Sequence, residues 1–512
     1  MNLFESLLVL LIIAILMLQV SRRLAIPYPA VLAAAGVGLA FIPGTPRIAL
    51  DPHIALALFI APALVDAAFD FPVVAVWKMW RPLFALAVVV VVLSAGAVAL
   101  LGVAMAGLPF YAALALGAIV APPDAAAATA VLGSVSMPRR SVAVLKGESL
   151  LNDASALLLF SAATSVQAHG GIDGVLALRL GIAAPGGILA GILLAKIFRR
   201  IGPLVTGTLG GNLLEFVTSF GVWIIAERLG LSPVLCLVAF AMTLARSAGL
   251  STHPRMRIHS FAVWETAVFL LNVLAFLLMG LQARMIVGSM SSHRLVEAAG
   301  FAVAVVLCLI VVRMVSVLIY NRLSNRYQTL RGDIKPATLQ QGVLVGWCGM
   351  RGLVTLATSF ALPPSFPQRD LIVLTAFAVV LATLVLQGLT LAPLVRYLKL
   401  DGEDGMAAEL AKARADLASV ALKTLDGKMG PEADHWRYKF ELIAADTEAT
   451  EAQPHEILRR LGMTAMRRQR KRLEELRAQQ RVGADAFLVL QEELDFSEVA
   501  LSTEDERHIE EN

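Results

Sequence analysis

The chain has 512 residues, 58% of them hydrophobic and 16% charged, with a mean hydropathy of +0.74. A soluble globular domain does not have this composition; a chain that crosses a bilayer many times does. The formal charge of +4 is the sum of two unlike parts, roughly +13 up to residue 400 and roughly −9 beyond it, which separates a membrane part, 1–400, from a water-facing tail, 401–512.

Apolar stretches of spanning length fall near 3–20, 26–42, 53–70, 82–107, 109–133, 148–168, 174–197, 206–228, 232–248, 262–283, 296–320, 340–362 and 370–396. The N-terminus has no basic region followed by a small-residue cleavage site, so the first stretch is expected to remain. The count predicts an all-α membrane protein of about 13 transmembrane helices. Placing the acidic tail in the cytoplasm puts the N-terminus outside. Arg22, Arg23, Lys78, Arg81, Arg139, Arg140, Lys146 and their counterparts as far as Arg331 and Lys335 then fall on inner loops. Only Arg47, Arg228, Arg284, Arg294 and Arg369 are counted outside, a ratio of about 17 to 5 that fits the positive-inside bias. Cys236, Cys308 and Cys348 sit in apolar stretches without metal-ligand spacing and read as small buried hydrophobes.

On the third stretch Asp66 is an acid at membrane depth, placed either to reach a bound cation through water or to line an entrance. Within the fifth, Pro122 and Pro123 remove two backbone donors just before Asp124. The carbonyls so freed need a partner other than lipid, such as an ion, water or another helix; the plainer reading is a kink with Asp124 bonded locally. The sixth opens with Gly-Glu-Ser-Leu-Leu-Asn-Asp, 147–153. Helical spacing puts Ser149 and Asp153 on one stripe and Glu148 and Asn152 on its neighbour. The twelfth carries three glycines and Arg351 in Gly346–Gly352, too deep for easy snorkelling, so an ion pair with Glu148 is expected; Arg313, near the inner end of its stretch, reads as snorkelling.

The two interrupted stretches are seven apart. Spans 1–6 and 8–13 therefore read as two inverted six-helix repeats with broken fifth and twelfth helices, an arrangement that points to a secondary transporter's midplane site. Asp153, Asp124, Ser149 and the Pro123 carbonyl form an all-oxygen set suited to a hard cation such as Na⁺, with the Na⁺ expected at Asp153, Asp124 and Ser149. One carboxylate can hold a cation or a proton but not both well, and alternating access then suffices for exchange. Two other classes remain: a membrane sensor signalling to the tail, and an anion transporter built around an accessible Arg351. In the tail, Met406–Leu425, Pro454–Arg481 and Ala484–Leu501 read as helices of a small cytoplasmic domain, the second strongly basic around Arg467–Arg472. A regulatory role would place that basic run on anionic lipid or on the acidic last helix.

Residues 147–153, with Trp-Cys-Gly-Met-Arg-Gly at 347–352 and the segment Ser260–Leu281, resemble the signatures of bacterial monovalent cation:proton antiporters of the Na⁺/H⁺ exchanger type, over about residues 5–400. The resemblance implies that Asp153 binds cation and proton with Asn152 as its neighbour, that Ser149 and Asp124 are further ligands, and that Glu148 pairs with Arg351. It places Asp66 where the family often has an acid near the site. An Asn-Asp pair, here Asn152-Asp153, implies electroneutral exchange of Na⁺ or Li⁺, with K⁺ a further candidate, for H⁺, in pH and sodium homeostasis. A homodimer in the bacterial inner membrane is implied, moving its core helices like an elevator; no enzyme activity, cofactor or nucleic-acid partner is expected. Many members have Thr-Asp-Pro at the fifth-helix break, whereas this chain has Pro123-Asp124-Ala125, so its ion preference and local backbone path are left open.

Overall fold

The structure, a computed structural model, describes residues 3–24, 27–41, 52–124, 139–169, 171, 174–202, 209–251, 254–332, 334, 336–400, 405–445, 453–479 and 481–502. The second half of the fifth apolar stretch, 125–133, lies outside them, as do Arg47 and Lys335. Every described element is helical. In chain order these are α1 (Leu3–Leu24), α2 (Tyr28–Leu39), α3 (Pro52–Phe69), α4 (Val73–Ala106), α5 (Phe110–Val120), α6 (Arg139–His169), α7 (Gly174–Ile201), α8 (Leu209–Arg228), α9 (Pro233–Ser251) and α10 (Pro254–Ser289). There follow α11 (Ser292–Arg326), the short α12 (Gln328–Arg331), α13 (Leu339–Trp347), α14 (Leu353–Phe360) and α15 (Arg369–Tyr397). Residues 403–511 form a second compact unit, with α16 (Gly405–Thr424), α17 (Pro431–Ala445), α18 (Gln453–Ala478) and α19 (Ala484–Leu501).

Among the described residues six helices are long and apolar enough to cross a membrane, and four shorter ones are apolar. Their outward faces are apolar too: Leu100 is 68% exposed, Leu189 69% and Val303 60%, which suits lipid rather than water. Helices begin and end where local chemistry dictates. Gly107, at φ 59°, closes α4 with its N–H on the Gly102 carbonyl, and Pro109 precedes α5. Thr338 opens α13 with a capping box, its hydroxyl accepting from Gln341 N–H while the Gln341 side chain accepts from Thr338 N–H. Pro82 lies inside α4, and a π-helical turn follows it at Ala85–Val90.

Between helices with apolar surfaces, close approach depends on small residues. α2 packs on α10, α7 on α9 and α9 on α3; α4 packs on α5, α5 on α6, and α11 on α13, α15 and α4; α14 touches both α3 and α15. A Cβ at Gly36 would stand 2.3 Å from the Leu277 carbonyl oxygen, and one at Gly280 2.2 Å from that of Ala33. The backbones of α2 and α10 therefore meet with no room for a side chain.

In the second unit, Arg470 on α18 bonds to Asp495, at 2.5 Å, and to Glu498 on α19; those hydrogen bonds raise its pKa above the ordinary arginine value. The Arg477 guanidinium lies 4.3 Å from the centre of the Phe487 ring. The basic run thus sends one arginine to the acidic helix, while Arg467, Arg468, Lys471 and Arg472 are exposed. α17 has no counterpart in the sequence reading. Its signal was present in Pro431 at the first helical position with Glu432 and Asp434 in the first turn. Arg437 of α17 also donates to the carbonyls of Leu425, at 3.1 Å, and Lys428, at 2.7 Å, just after the end of α16.

The α2–α10 crossing gives a direct expectation. Gly280→Leu should lower the thermal unfolding midpoint of the purified protein markedly. Gly38→Ala, on the partner helix α2 but with nothing within 4 Å of its added Cβ, should leave it unchanged or slightly raised.

Candidate functional site

Two interruptions meet in the middle of the bundle. α5 ends at Val120, and residues 122–124 leave the helical path, as the Pro122-Pro123 pair requires. The segment 348–352 between α13 and α14 is likewise non-helical. The two strands of irregular backbone cross: the Asp124 N–H donates to the Met350 carbonyl at 2.7 Å.

Each interruption brings a charge to the end of the other's helix. The Asp124 carboxylate accepts from Leu353 N–H at 3.3 Å, which sets an anion at the N-terminus of α14. The Arg351 guanidinium donates from Nε to the Val120 carbonyl at 3.0 Å and from Nη2 to that of Ala121 at 3.4 Å, which sets a cation on the final carbonyls of α5. Both placements match the helix dipole. Arg351 also donates through Nη1 to the Gly349 carbonyl, and its backbone N–H donates to Thr383 Oγ1 at 3.1 Å. Gly352 makes the contact possible, since a Cβ there would stand 1.8 Å from Asp124 Oδ2.

α6 runs past this crossing. Asn152, fully buried, donates from Nδ2 to the Pro123 carbonyl at 2.8 Å, and so fixes the broken end of α5. Its Oδ1 is buried with no hydrogen-bond partner among the described residues. Asp153, 6% exposed, has Asp124 as its charged neighbour. Ser149, half-buried, lies one turn before Asp153 on the same face. Asp153, Asp124, Asn152 and Pro123 thus gather at the crossing. The charged neighbours of Asp66 are Asp70, Glu265 and Lys146.

The expected pair of Glu148 with Arg351 is not formed. Glu148 is held by Arg313 of α11, with Oε1 at 2.5 Å from Nη1 and Oε2 at 3.1 Å from Nη2, and both side chains are 1% exposed. Arg313 Nη2 also donates to the Val345 carbonyl at 3.1 Å. Arg351 turns instead toward the carbonyls of α5, though it remains in electrostatic range of both Glu148 and Arg313. The snorkelling reading of Arg313 fails for a geometric reason. It lies on the stripe Leu309, Arg313, Val317, Asn321, all buried against the bundle, and cannot turn to water. That stripe was the available signal: at helical spacing Arg313 shares its face with buried apolar residues and with Asn321. Gly349 sits between the two arginines, since a Cβ there would be 2.6 Å from Arg313 Cδ and 3.1 Å from Arg351 Nη1. Thr383 also escaped the sequence reading, because a lone threonine on an apolar helix carries no signal of its own.

Residues 7–397 match the family described as "Sodium/hydrogen exchanger, transmembrane". A Bacillus subtilis protein named as a sodium, potassium, lithium and rubidium/H⁺ antiporter is 30% identical over 408 residues, 75% of this chain and 60% of that one. The Synechocystis Na⁺/H⁺ antiporter NhaS2 is 28% identical over 461 residues, covering 90% of this chain and 82% of its own length. Among solved structures, the sodium proton antiporter MjNhaP1 of Methanocaldococcus jannaschii superposes with a TM-score of 0.60 at 16% identity, over 78% of this chain and 99% of that one. At that identity the last likeness speaks for the fold alone.

The buried pair yields a test of the brace. Glu148→Gln leaves Arg313 charged and buried beside a neutral partner and should cost about 3–5 kcal/mol of stability. Replacing both, Glu148→Met with Arg313→Met, should recover most of that loss in thermal unfolding of the purified protein.

Proposed function

This chain belongs to the transmembrane sodium/hydrogen exchanger family, and we propose that the helix crossing at Asp124 and Asp153 is where it exchanges a monovalent cation for a proton. It is a multi-pass membrane transporter, not an enzyme. The observation that carries the reading is the buried Asp153 beside Asp124, at a crossing where Glu148 is committed to Arg313. Two carboxylates sharing a site of low dielectric repel each other, and either a proton or a cation relieves the repulsion. The Asp124 charge is offset by the N-terminus of α14, so Asp153 is the carboxylate that changes partner. Ser149, the Asn152 oxygen, which has no partner among the described residues, and backbone carbonyls at the break supply further hard donors, a set suited to Na⁺ or Li⁺, and to K⁺ if the shell widens.

One exchanging carboxylate carries either one cation or one proton, which makes the cycle electroneutral. Alternating access then exposes Asp153 to each side in turn, with about 13 helices in two inverted six-helix repeats around the crossing. The positive-inside count supports an N-terminus outside and a tail, 401–512, in the cytoplasm. A bacterial inner-membrane homodimer engaged in pH and sodium homeostasis fits this reading. Asp66, with Asp70 and Glu265, would line an approach to the site instead of ligating the ion. Arg351 is 1% exposed and bonded to carbonyls, so it does not offer the accessible cation that anion transport requires.

Proteoliposomes with an imposed pH gradient test the proposal. Adding Na⁺ should dissipate the gradient, and Asp153→Asn should reduce that flux to the level of empty vesicles; wild-type flux in the variant would dismiss the assigned centre. Clamping the membrane potential at zero or at a large negative value should leave the wild-type rate unchanged, because no net charge moves per cycle.

A further inference from the structure

Two turns before Asp153, α6 carries an ammonium group beside the acids of α3. At helical spacing Lys146, Ser149 and Asp153 fall on one stripe of α6. Lys146 therefore lies about 10 Å along the helix axis from Asp153. The end of α3 presses on this part of α6. A Cβ at Gly147 would stand 2.8 Å from Phe71 Cζ and 2.8 Å from Leu83 Cδ2, so the residue next to Lys146 meets the residue next to Asp70. Asp70 continues the last turn of α3, with its N–H on the Asp66 carbonyl at 3.3 Å. The Phe69 ring lies 6.3 Å from that of Phe261 on α10, and Glu265 follows Phe261 by one turn. Lys146 is in electrostatic range of both Asp66 and Asp70, and Glu265 is in range of Asp66. Lys146, Asp70 and Glu265 are exposed and Asp66 is half-buried.

Three carboxylates against one ammonium leave this place negative, and a negative approach concentrates cations. Lys146 works against that. It is a cation already in place, fixed to the helix that carries Asp153, and its repulsion acts on any cation that comes within a Debye length. A lysine here differs from the forked, fully buried Arg313 on Glu148: its ammonium is a hydrated point charge on a flexible stem, suited to offsetting several acids without locking onto one. The simpler alternative is a brace between α6 and α3. Removing a brace lowers stability. Removing a standing cation makes the approach more negative and improves cation capture.

We propose that Lys146 is the built-in counter-ion of the acidic approach formed by Asp66, Asp70 and Glu265, and that it sets the apparent cation affinity of the exchange site without taking part in the exchange. The proposal rests on the reading of Asp153 as the exchanging carboxylate. A fixed charge acts equally on Na⁺ and on H⁺. Its effect on sodium therefore cancels at acid pH, where the two compete for Asp153, and is full at alkaline pH, where few protons do.

The test is the sodium dependence of proton flux by the full-length protein in proteoliposomes, at alkaline pH and low ionic strength. Lys146→Gln should lower KM for Na⁺ roughly threefold to tenfold and leave kcat unchanged. Lys146→Arg should keep the wild-type KM, and Asp70→Asn should raise it, which serves if Lys146→Gln does not fold. The difference between wild type and Lys146→Gln should shrink at acid pH and in added choline chloride, which screens it. An unchanged or raised KM in Lys146→Gln at alkaline pH, with or without a fall in the thermal unfolding midpoint, would overturn the proposal, as would Lys146→Arg behaving like Lys146→Gln. Asp153→Asn separates the two readings. Flux retained in that variant would remove the premise; flux abolished there, with no change of KM in Lys146→Gln, would overturn the role of Lys146 alone.

Discussion

Two broken helices cap each other at the centre of the bundle. An interrupted helix inside an apolar bundle exposes carbonyls at one stump and N–H groups at the other, each costing several kcal/mol if left bare in hydrocarbon. Here Arg351 covers the last carbonyls of α5 and the Asp124 carboxylate takes an N–H at the start of α14. Each charge is supplied by the opposite strand of the crossing. Removing either would therefore leave a helix end bare in the bundle. Thr383 beneath Arg351 and Asn152 beneath Pro123 anchor the crossing to α15 and α6.

Around that crossing the buried charges divide their work. Glu148 and Arg313 join α6 to α11 through two hydrogen bonds, and Arg313 also takes a carbonyl near the end of α13. Arg351 adds a second guanidinium within range of that carboxylate, with part of its demand met by backbone oxygens. With Glu148 occupied in this way and Asp124 facing a helix N-terminus, Asp153 is left as a buried acid beside the crossing with no structural commitment among the described residues. In the proposed mechanism, that separation would let Asp153 alternate between proton and cation without loosening the scaffold.

Much of this was legible in the sequence because deep charges and prolines are costly in lipid. Pro122-Pro123-Asp124, Asn152-Asp153 and the glycine-arginine run at 346–352 each violate the apolar pattern, and all meet at one place. The partners of the charges were less legible. Glu148 and Arg351 looked complementary because each was conspicuous, whereas Arg313 sat near a helix end and its stripe of buried neighbours was the quieter signal. A backbone carbonyl leaves no mark in a sequence, so the true acceptors of Arg351 could not be read there. In the tail, α17 was missed because its fifteen residues have near-zero mean apolarity, leaving only its proline and first-turn acids as signals.

At the proposed site, proton and cation compete for the same buried carboxylate. Proton release on adding Na⁺ to the detergent-purified protein, in weakly buffered solution, tests it without any transport step. Release of about one proton per bound sodium ion is expected, declining as the starting pH rises and absent in Asp153→Asn. Saturable Na⁺ binding with no proton release at any pH, or undiminished release from the Asp153→Asn variant, would contradict it.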